Sequence, residues 1–426
     1  MIIKKTRKNK KNRLNKTRKH RGGSLIGQGT YGCIFSPSLK CKNEQTRRKG
    51  ISKLLTTYGA TTEIENYKYI DKIDPYGIFH IPLDHICDFD LENIDKKVDG
   101  NVKKECELFS HDPLGKDMKL LFFRDGGLDW NSYFTKKLNT KKWNLFFSGC
   151  YRLFYGLYVM SKHRFIHFDI KWNNILIDPK TLQSSLIDFG ISQQMDTFIH
   201  EAIEQNSLFG HLYYHFNMAP EITLYTNFVP IVGDIVKQKL DNPSQIQYLP
   251  NFVKYMEEQY KNNKITRYWD EKLVSSKYYK VELFKKQESL RRLLKVLFKN
   301  YEYKQDNNEY VVFKDKNLLY KLLSKYDTYA LGYSLCWLWM KYFKEPFSLN
   351  SGSQSIPLYN MRKLIHKMIQ PNPLKRINPK KALSKFIIIW AKFIKSGIEN
   401  KELDKNVDGI PKTVIKIYKE INKDAS

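Results

Sequence analysis

The sequence lacks several features that would direct it outside the cell or into a membrane. Met1-Ile2-Ile3 gives way at once to Lys4-Lys5 with no apolar stretch behind it, so no secretory leader is expected. No run is apolar enough to span a bilayer: FIIIWAKFI, from Phe386 to Ile394, is interrupted by Lys392 and reads as a core helix. The six cysteines (Cys33, Cys41, Cys87, Cys106, Cys150, Cys336) form no C-x-x-C pair. The expectation is therefore reduced thiols in an intracellular compartment, the cytoplasm or alternatively the nucleus, and no structural zinc. There is no internal repeat and no Pro-rich linker. Acidic residues are absent from the first 21 positions, which hold 11 Lys and Arg and leave +18 of the formal +29 to the rest of the chain. Such a self-repelling arm is expected to be disordered, with nucleic acid or another polyanion as its partner. An import signal, a nucleic-acid-binding arm and a solubilising tail all fit it.

The chain's 426 residues exceed a typical single domain, and 42% hydrophobic with 14% aromatic residues suffices for a large core. Past the arm (1–21), Gly22-Gly23 forms a hinge. A strand-and-loop region follows over 22–123, with an insertion near 71–117, and a helical region over 124–395, with an insertion near 222–326. A tail covers 396–426. WNLFFSGCYRLFYGLYVM, from Trp143 to Met160, carries one charge, Arg152, and reads as one buried helix.

Gly27, Gly29 and Gly32 match G-x-G-x-x-G, with Ile34 two positions on. A backbone without Cβ atoms can lie close over phosphates and offer them its N–H groups. A dinucleotide-binding turn would need a helix next, but CIFSPS reads as strand and turn, so a β-hairpin fits better. In GISKLL, the residues Ile51, Lys53 and Leu55 share one face of a strand, which points Lys53 inward. Its carboxylate partner is Glu63, with Glu65 as the rival. Thr61 or Thr62 would cap that helix, and Tyr67 and Ile70 would continue Glu63's inward face.

The densest polar stretch is HFDIKWNN, residues 167–174, with Asp188-Phe189-Gly190 after it. Asp169, Asn173 and Asn174 could be turn residues bonding their own backbone. Their order after a glycine hairpin, an inward Lys and an acidic helix, and before Met218-Ala219-Pro220-Glu221, makes the chain resemble the eukaryotic-type protein kinases. In composition and in its basic Gly-Gly arm it is similar to divergent kinases of large DNA viruses. The resemblance implies an α+β, bilobal fold with a small β-rich N-lobe and a larger helical C-lobe. It also implies ATP and Mg²⁺ as cofactors, and protein substrates bearing Ser or Thr. Asp169 would accept the proton of the attacking hydroxyl, Lys171 would neutralise the phosphoryl group, and Asn174 and Asp188 would hold Mg²⁺. Oxygen ligands and an ammonium are the right types for charge developing on phosphate. KLLFFRDGGLDW would supply the hinge: Leu121 as gatekeeper, Phe122, Phe123 and Arg124 offering backbone to adenine, and Asp129 near the ribose. Glu221 would pair with Arg376, Asp327 would brace the catalytic loop or simply cap its helix, and His167 would be structural.

Three departures bear on activity. Lys53 and Glu63 are only ten residues apart, the segment before Ala219 lacks the family's Thr, and Phe168 stands where an Arg is usual. Ser192, Thr197 and Ser207 could be phosphorylated, but none would meet a cation at position 168. An active Ser/Thr kinase, a pseudokinase scaffold and a small-molecule kinase on the same fold are the three readings.

Overall fold

The computed structural model describes residues 23–29, 32–91, 102–111, 117–135, 140–204, 301–305, 309–313, 315–343, 356–370 and 372–398. The basic arm, the Met218–Glu221 segment, Ser207 and the 396–426 tail beyond Ile398 lie outside them, as does most of the expected 222–326 insertion. The chain divides into two compact units, Met1–Thr61 with Leu83–Asp125, and Thr62–Pro82 with Gly126–Ser426.

The first unit is a five-stranded antiparallel sheet. The glycine run forms a hairpin of β1 (Ser24–Gly29) and β2 (Gly32–Ser36), with Gly29 opposite Gly32 and a bulge between Leu25 and Gly27. β3 (Ile51–Thr56) runs without a connecting loop into α1 (Thr57–Ile73). The hydroxyl of Thr56 accepts from the N–H of Gly59 and caps that helix. Thr61 and Thr62 are therefore not the cap: the helix begins a turn earlier, and the missing loop explains why Lys53 and Glu63 are so close in sequence. β4 (Leu83–Asp88), α2 (Val102–Glu105), α3 (Leu108–His111) and β5 (Met118–Phe123) complete the unit, in sheet order β1-β2-β3-β5-β4. One face of the sheet packs Phe35, Leu54, Leu120 and Phe122 with Val102, Leu108 and Phe109.

The expectation of six reduced cysteines does not hold. Cys33–Cys106 and Cys41–Cys87 are disulfides, and the free Cys150 and Cys336 are buried. Partners 73 and 46 residues apart leave no short spacing to read, because only the folded sheet brings them together.

The second unit continues α1 from Thr62 and is mainly helical. β6 (Leu128–Asp129) leads into α4 (Trp130–Tyr133), followed by α5 (Thr140–Gly149) and α6 (Tyr151–Lys162). The single helix expected over 143–160 is thus two, broken at Cys150. Gly149 sits so tightly on the chain that a Cβ there would be 2.2 Å from the carbonyl oxygen of Leu182, a contact no other residue tolerates. Then come β7 (Phe165–Ile166), β8 (Ile175–Ile177), β9 (Ser184–Leu186), β10 (Gln193–Gln194) and α7 (Met195–Glu204). The hairpin of β11 (Tyr301–Gln305) and β12 (Glu309–Phe313) precedes α8 (Lys316–Leu323), α9 (Tyr326–Phe343), α10 (Ile356–Met368) and α11 (Pro379–Ile398).

FIIIWAKFI lies in α11, as expected of a core helix. Phe386 stacks on Phe154 of α6 at 4.3 Å, and Trp390 stacks on Tyr151 at 4.8 Å. Among the described residues, no helix is long and apolar enough to cross a membrane.

Candidate active site

The site in the second unit is built on one hairpin. β8 pairs antiparallel with β9 so that Ile175 faces Leu186, which sets the residue before β8, Asn174, near the chain that follows β9. The N–H of Ile187 donates to the carbonyl of Asn174 at 3.1 Å. This is why Asn174 and Asp188, 14 positions apart, belong together. A short 3-10 turn, Trp172–Asn174, bends the chain back toward Asp169.

Asp169 is buried, and its two oxygens differ. Oδ2 accepts from Lys171 Nζ at 2.7 Å and from Asn174 Nδ2 at 2.8 Å. Oδ1 is buried with no hydrogen-bond partner, and a buried acceptor left in that state calls for an explanation. Asn174 Nδ2 also donates to the Asp169 carbonyl, so the amide's remaining acceptor is its oxygen.

A helix and a histidine hold this loop. Asp327, in the first turn of α9, accepts from the backbone N–H of His167 at 2.8 Å and of Phe168 at 3.2 Å. Its carboxylate braces the loop and does not cap its own helix. Burial pushes the Asp327 carboxyl up to about 7, against the two N–H donors, which favour the charged form. His167 is fully buried. Its Nδ1 accepts from the N–H of Asp169 and its Nε2 donates to the carbonyl of Ile187 at 3.1 Å. Burial pushes its pKa down against the neighbouring carboxylates, so it is a neutral spacer with both nitrogens occupied.

Asp188 adopts a left-handed backbone, φ 67°, and Phe168 does too, φ 63°. Such conformations in non-glycine residues persist only where their surroundings enforce them. α1 supplies part of that enforcement. Asn66 Nδ2 donates to the carbonyls of Phe189 and Ser192, and the Tyr67 ring meets Phe189 edge-on at 5.2 Å. Glu63 is buried while Glu65 is exposed, and Tyr67 and Ile70 share the inward face of α1 with Glu63, as expected. Burial first, then the charges of Glu63 and Asp188, raise the Tyr67 hydroxyl well above its ordinary value. A Cβ on Gly190 would lie 3.4 Å from Glu63 Oε2 and 3.5 Å from Asp188 Oδ1, so both carboxylates border this glycine.

Residues 129–232 match the family model of the protein kinase domain. The fold is the α+β kinase fold, and the match supports a kinase-type function, phosphoryl transfer, for the chain. The matched stretch includes Asp129, Asp169, Lys171, Asn174 and Asp188.

In the first unit, strand register relates the glycine hairpin to β3, β5 and β4. Gly27, Ile34, Lys53, Leu121 and Ile86 form one row across the five strands, on the face opposite the Phe35–Phe122 cluster. The row contains the expected phosphate-side glycine, the aliphatic Ile34, Lys53 and the expected gatekeeper. A Cβ on Gly32 would fall 2.8 Å from Leu55 Cδ2 and 2.9 Å from the Leu54 carbonyl, so the hairpin closes on β3 only with glycine there. Gly29 has open space around it. Of the expected hinge residues, Phe122 and Phe123 are paired on both sides within the sheet, and Arg124 is the first beyond it. Asp129 is the N-cap of α4, its Oδ1 accepting from the N–H of Ser132 at 3.0 Å.

Phe168, at the position where an Arg is usual in the family, is buried between Phe198 of α7 at 5.0 Å and Tyr326 of α9 at 5.2 Å. The loop is joined to the segment after Asp-Phe-Gly by aromatic packing and by β10, whose Gln193 pairs with Ile166. Ser192 is buried and donates to the carbonyl of His167 at 3.0 Å, so it is not an accessible phosphorylation site in this conformation, whereas Thr197 is exposed. Arg376 donates to the carbonyls of Gln370 and Lys325, and its expected partner Glu221 lies outside the described residues. Asn66 went unnoticed in the sequence, although it lies one turn beyond Glu63 on the same helix face.

Proposed function

We propose that the chain is an ATP- and Mg²⁺-dependent protein kinase that transfers the γ-phosphate to Ser and Thr hydroxyls of protein substrates. The observation that carries this reading is Asp169: one oxygen is fixed by Lys171 and Asn174, and the other is buried with no protein partner. A carboxylate held that way is positioned to accept the proton of an incoming hydroxyl. The Asn174 amide oxygen and the Asp188 carboxylate are hard oxygen donors that suit Mg²⁺. When bound, ATP and Mg²⁺ supply the transferable phosphoryl group and the charge that neutralises it. Lys171, already at Asp169, would move its ammonium onto the transferring group. In the first unit, Gly27, Gly29 and Gly32 with Lys53 are the proposed phosphate contacts. Leu121 would border the base and Arg124 would begin the backbone available to it.

The second reading, an ATP-binding scaffold without transfer, draws on Phe168. Radiolabelled ATP with generic Ser/Thr acceptor proteins separates the two. Transfer that disappears in Asp169→Asn, in a protein that still binds nucleotide, supports the kinase. Nucleotide binding without transfer in the wild type supports the scaffold. The basic arm is proposed to hold polyanions in a salt-dependent manner, and deletion of residues 1–21 should weaken that binding while sparing transfer.

A further inference from the structure

In the first unit, away from the kinase-like row, three metal-binding side chains meet. Cys41, His85 and Cys87 each present a ligand atom, and these atoms lie within 4.8 Å of one another. His85 and Cys87 alternate on β4, which places both on one face, and Cys41 opens the turn in which the N–H of Glu44 donates to the Cys41 carbonyl. Glu44 Oε1 stands 3.6 Å from His85 Nε2. Cys41 is buried, while His85, Cys87 and Glu44 are half-buried, so the group is reachable from solvent.

We propose that Cys41, His85 and Cys87, with Glu44 as the fourth ligand, form a Zn²⁺ site that opens when the Cys41–Cys87 disulfide is reduced. Two thiolates, an imidazole and a carboxylate are a donor set that zinc takes in tetrahedral form. Disulfide and metal are mutually exclusive, since each needs the same two sulfurs. Reduction by a small thiol converts the disulfide to two Cys thiols as two reductant thiols become one disulfide. Zn²⁺ then displaces the two thiol protons to solvent.

The second observation in favour is that the two ligand-bearing segments are fastened without the disulfide. The N–H of Lys42 donates to the Asp88 carbonyl at 2.9 Å, Lys42 Nζ pairs with Asp90 at 3.4 Å, and the N–H of Leu39 donates to the hydroxyl of Ser52 at 2.8 Å. Reduction therefore leaves Cys41 beside β4, and the ligands remain gathered for a metal. In the structure, Glu44 accepts from Arg48. It would exchange that partner for the ion.

The test uses the full chain, reduced with a thiol and then freed of it under anaerobic conditions, incubated with Zn²⁺ and passed through gel filtration before metal analysis. The expected result is one equivalent of Zn²⁺ on the reduced wild type and none on the oxidised wild type. Co²⁺ in place of zinc should show thiolate-to-metal charge-transfer absorption. His85→Ala should weaken retention by about tenfold or more, Cys41→Ser/Cys87→Ser should abolish it, and Cys33→Ser/Cys106→Ser should keep it. No zinc on the reduced wild type would overturn the proposal, as would equal retention by the Cys41→Ser/Cys87→Ser variant or by His85→Ala. The oxidised-against-reduced comparison needs no substitution, so a variant that misfolds does not remove the test.

Discussion

Replacing Asp327 by Ala should damage stability and transfer together, although Asp327 lies on α9 and takes no part in the proposed chemistry. Its carboxylate is the acceptor for two buried N–H groups, those of His167 and Phe168. Alanine leaves both without a partner, and each orphaned donor costs about 1–3 kcal/mol, so the loss is about 2–6 kcal/mol. Phe168 is also held at φ 63° by this bracing, so the loop can relax to an ordinary backbone and carry Asp169 out of place. Asp327→Asn keeps one acceptor oxygen and should fall between Ala and wild type. The assays are the denaturant midpoint and the transfer rate at saturating ATP. An Ala variant with wild-type midpoint and rate would refute the bracing argument.

The same residue gives a pH signature. Its folded pKa of about 7 lies above the ordinary 3.8, so the neutral acid is favoured in the folded state. The associated stability is fully present below 3.8 and is lost as pH rises through about 7. The three-unit difference corresponds to about 4 kcal/mol. Asp327→Asn, which has no proton to lose, should lose this slope.

The remaining expectations concern other parts of the site. Lys53→Met and Asp188→Ala should each lower transfer by about 10²-fold or more with the fold retained by circular dichroism; near-normal transfer in either removes that residue from the site. His80 lies between Asp71 and Asp74, with ring nitrogens 2.7 and 2.8 Å from their carboxylates. Burial works to lower its pKa but the two carboxylates outweigh it and raise it. Its stabilisation is thus complete below about 6.5 and lost as pH rises through the raised folded value, so His80→Gln should flatten the unfolding midpoint's decline on the alkaline side. Phe168→Ala should cost about 3–5 kcal/mol by leaving a cavity between Phe198 and Tyr326. Thr197→Ala and phosphatase treatment should change the transfer rate by less than about tenfold, or 1.4 kcal/mol of barrier.

Local periodicity made the inward faces legible. Glu63, Tyr67 and Ile70 fall on one side of α1 because the helix repeat places side chains by simple counting, whereas the row of Ile34, Lys53 and Leu121 exists only once the strands are in register. Counting fails where an element's end is decided by something distant. α1 starts at Thr57 because Thr56 both ends β3 and caps the helix, a double role its neighbours do not announce. The break at Cys150 depends on Leu182, in another part of the chain, lying against Gly149. Cys33–Cys106 and Cys41–Cys87 require the finished sheet. The ring of His80 was likewise unremarkable in sequence, since Asp71 in the last turn of α1 and Asp74 just beyond it flank the ring only after the chain has turned back.

Of the left-handed non-glycine residues in the second unit, Phe168 and Asp188 explain why so much of it converges on a few side chains. Phe168 and Asp188 each occupy a backbone region that costs a non-glycine residue of order 1–3 kcal/mol, and that cost must be met by neighbours that leave no alternative. For Phe168 these are Asp327 on its backbone and Phe198 and Tyr326 on its ring. For Asp188 they are the β8–β9 hairpin before it and, after it, Phe189, gripped by Tyr67 and by Asn66 on its carbonyl. Each set includes an apolar ring, so neither depends wholly on charge. An Arg at 168 would answer to a phosphate on the following segment, whereas a phenyl ring packed on α7 answers to whether α7 is folded. At position 168, aromatic packing on Phe198 thus stands in place of a guanidinium that could pair with a phosphate, and it ties α7 to the loop that carries Asp169.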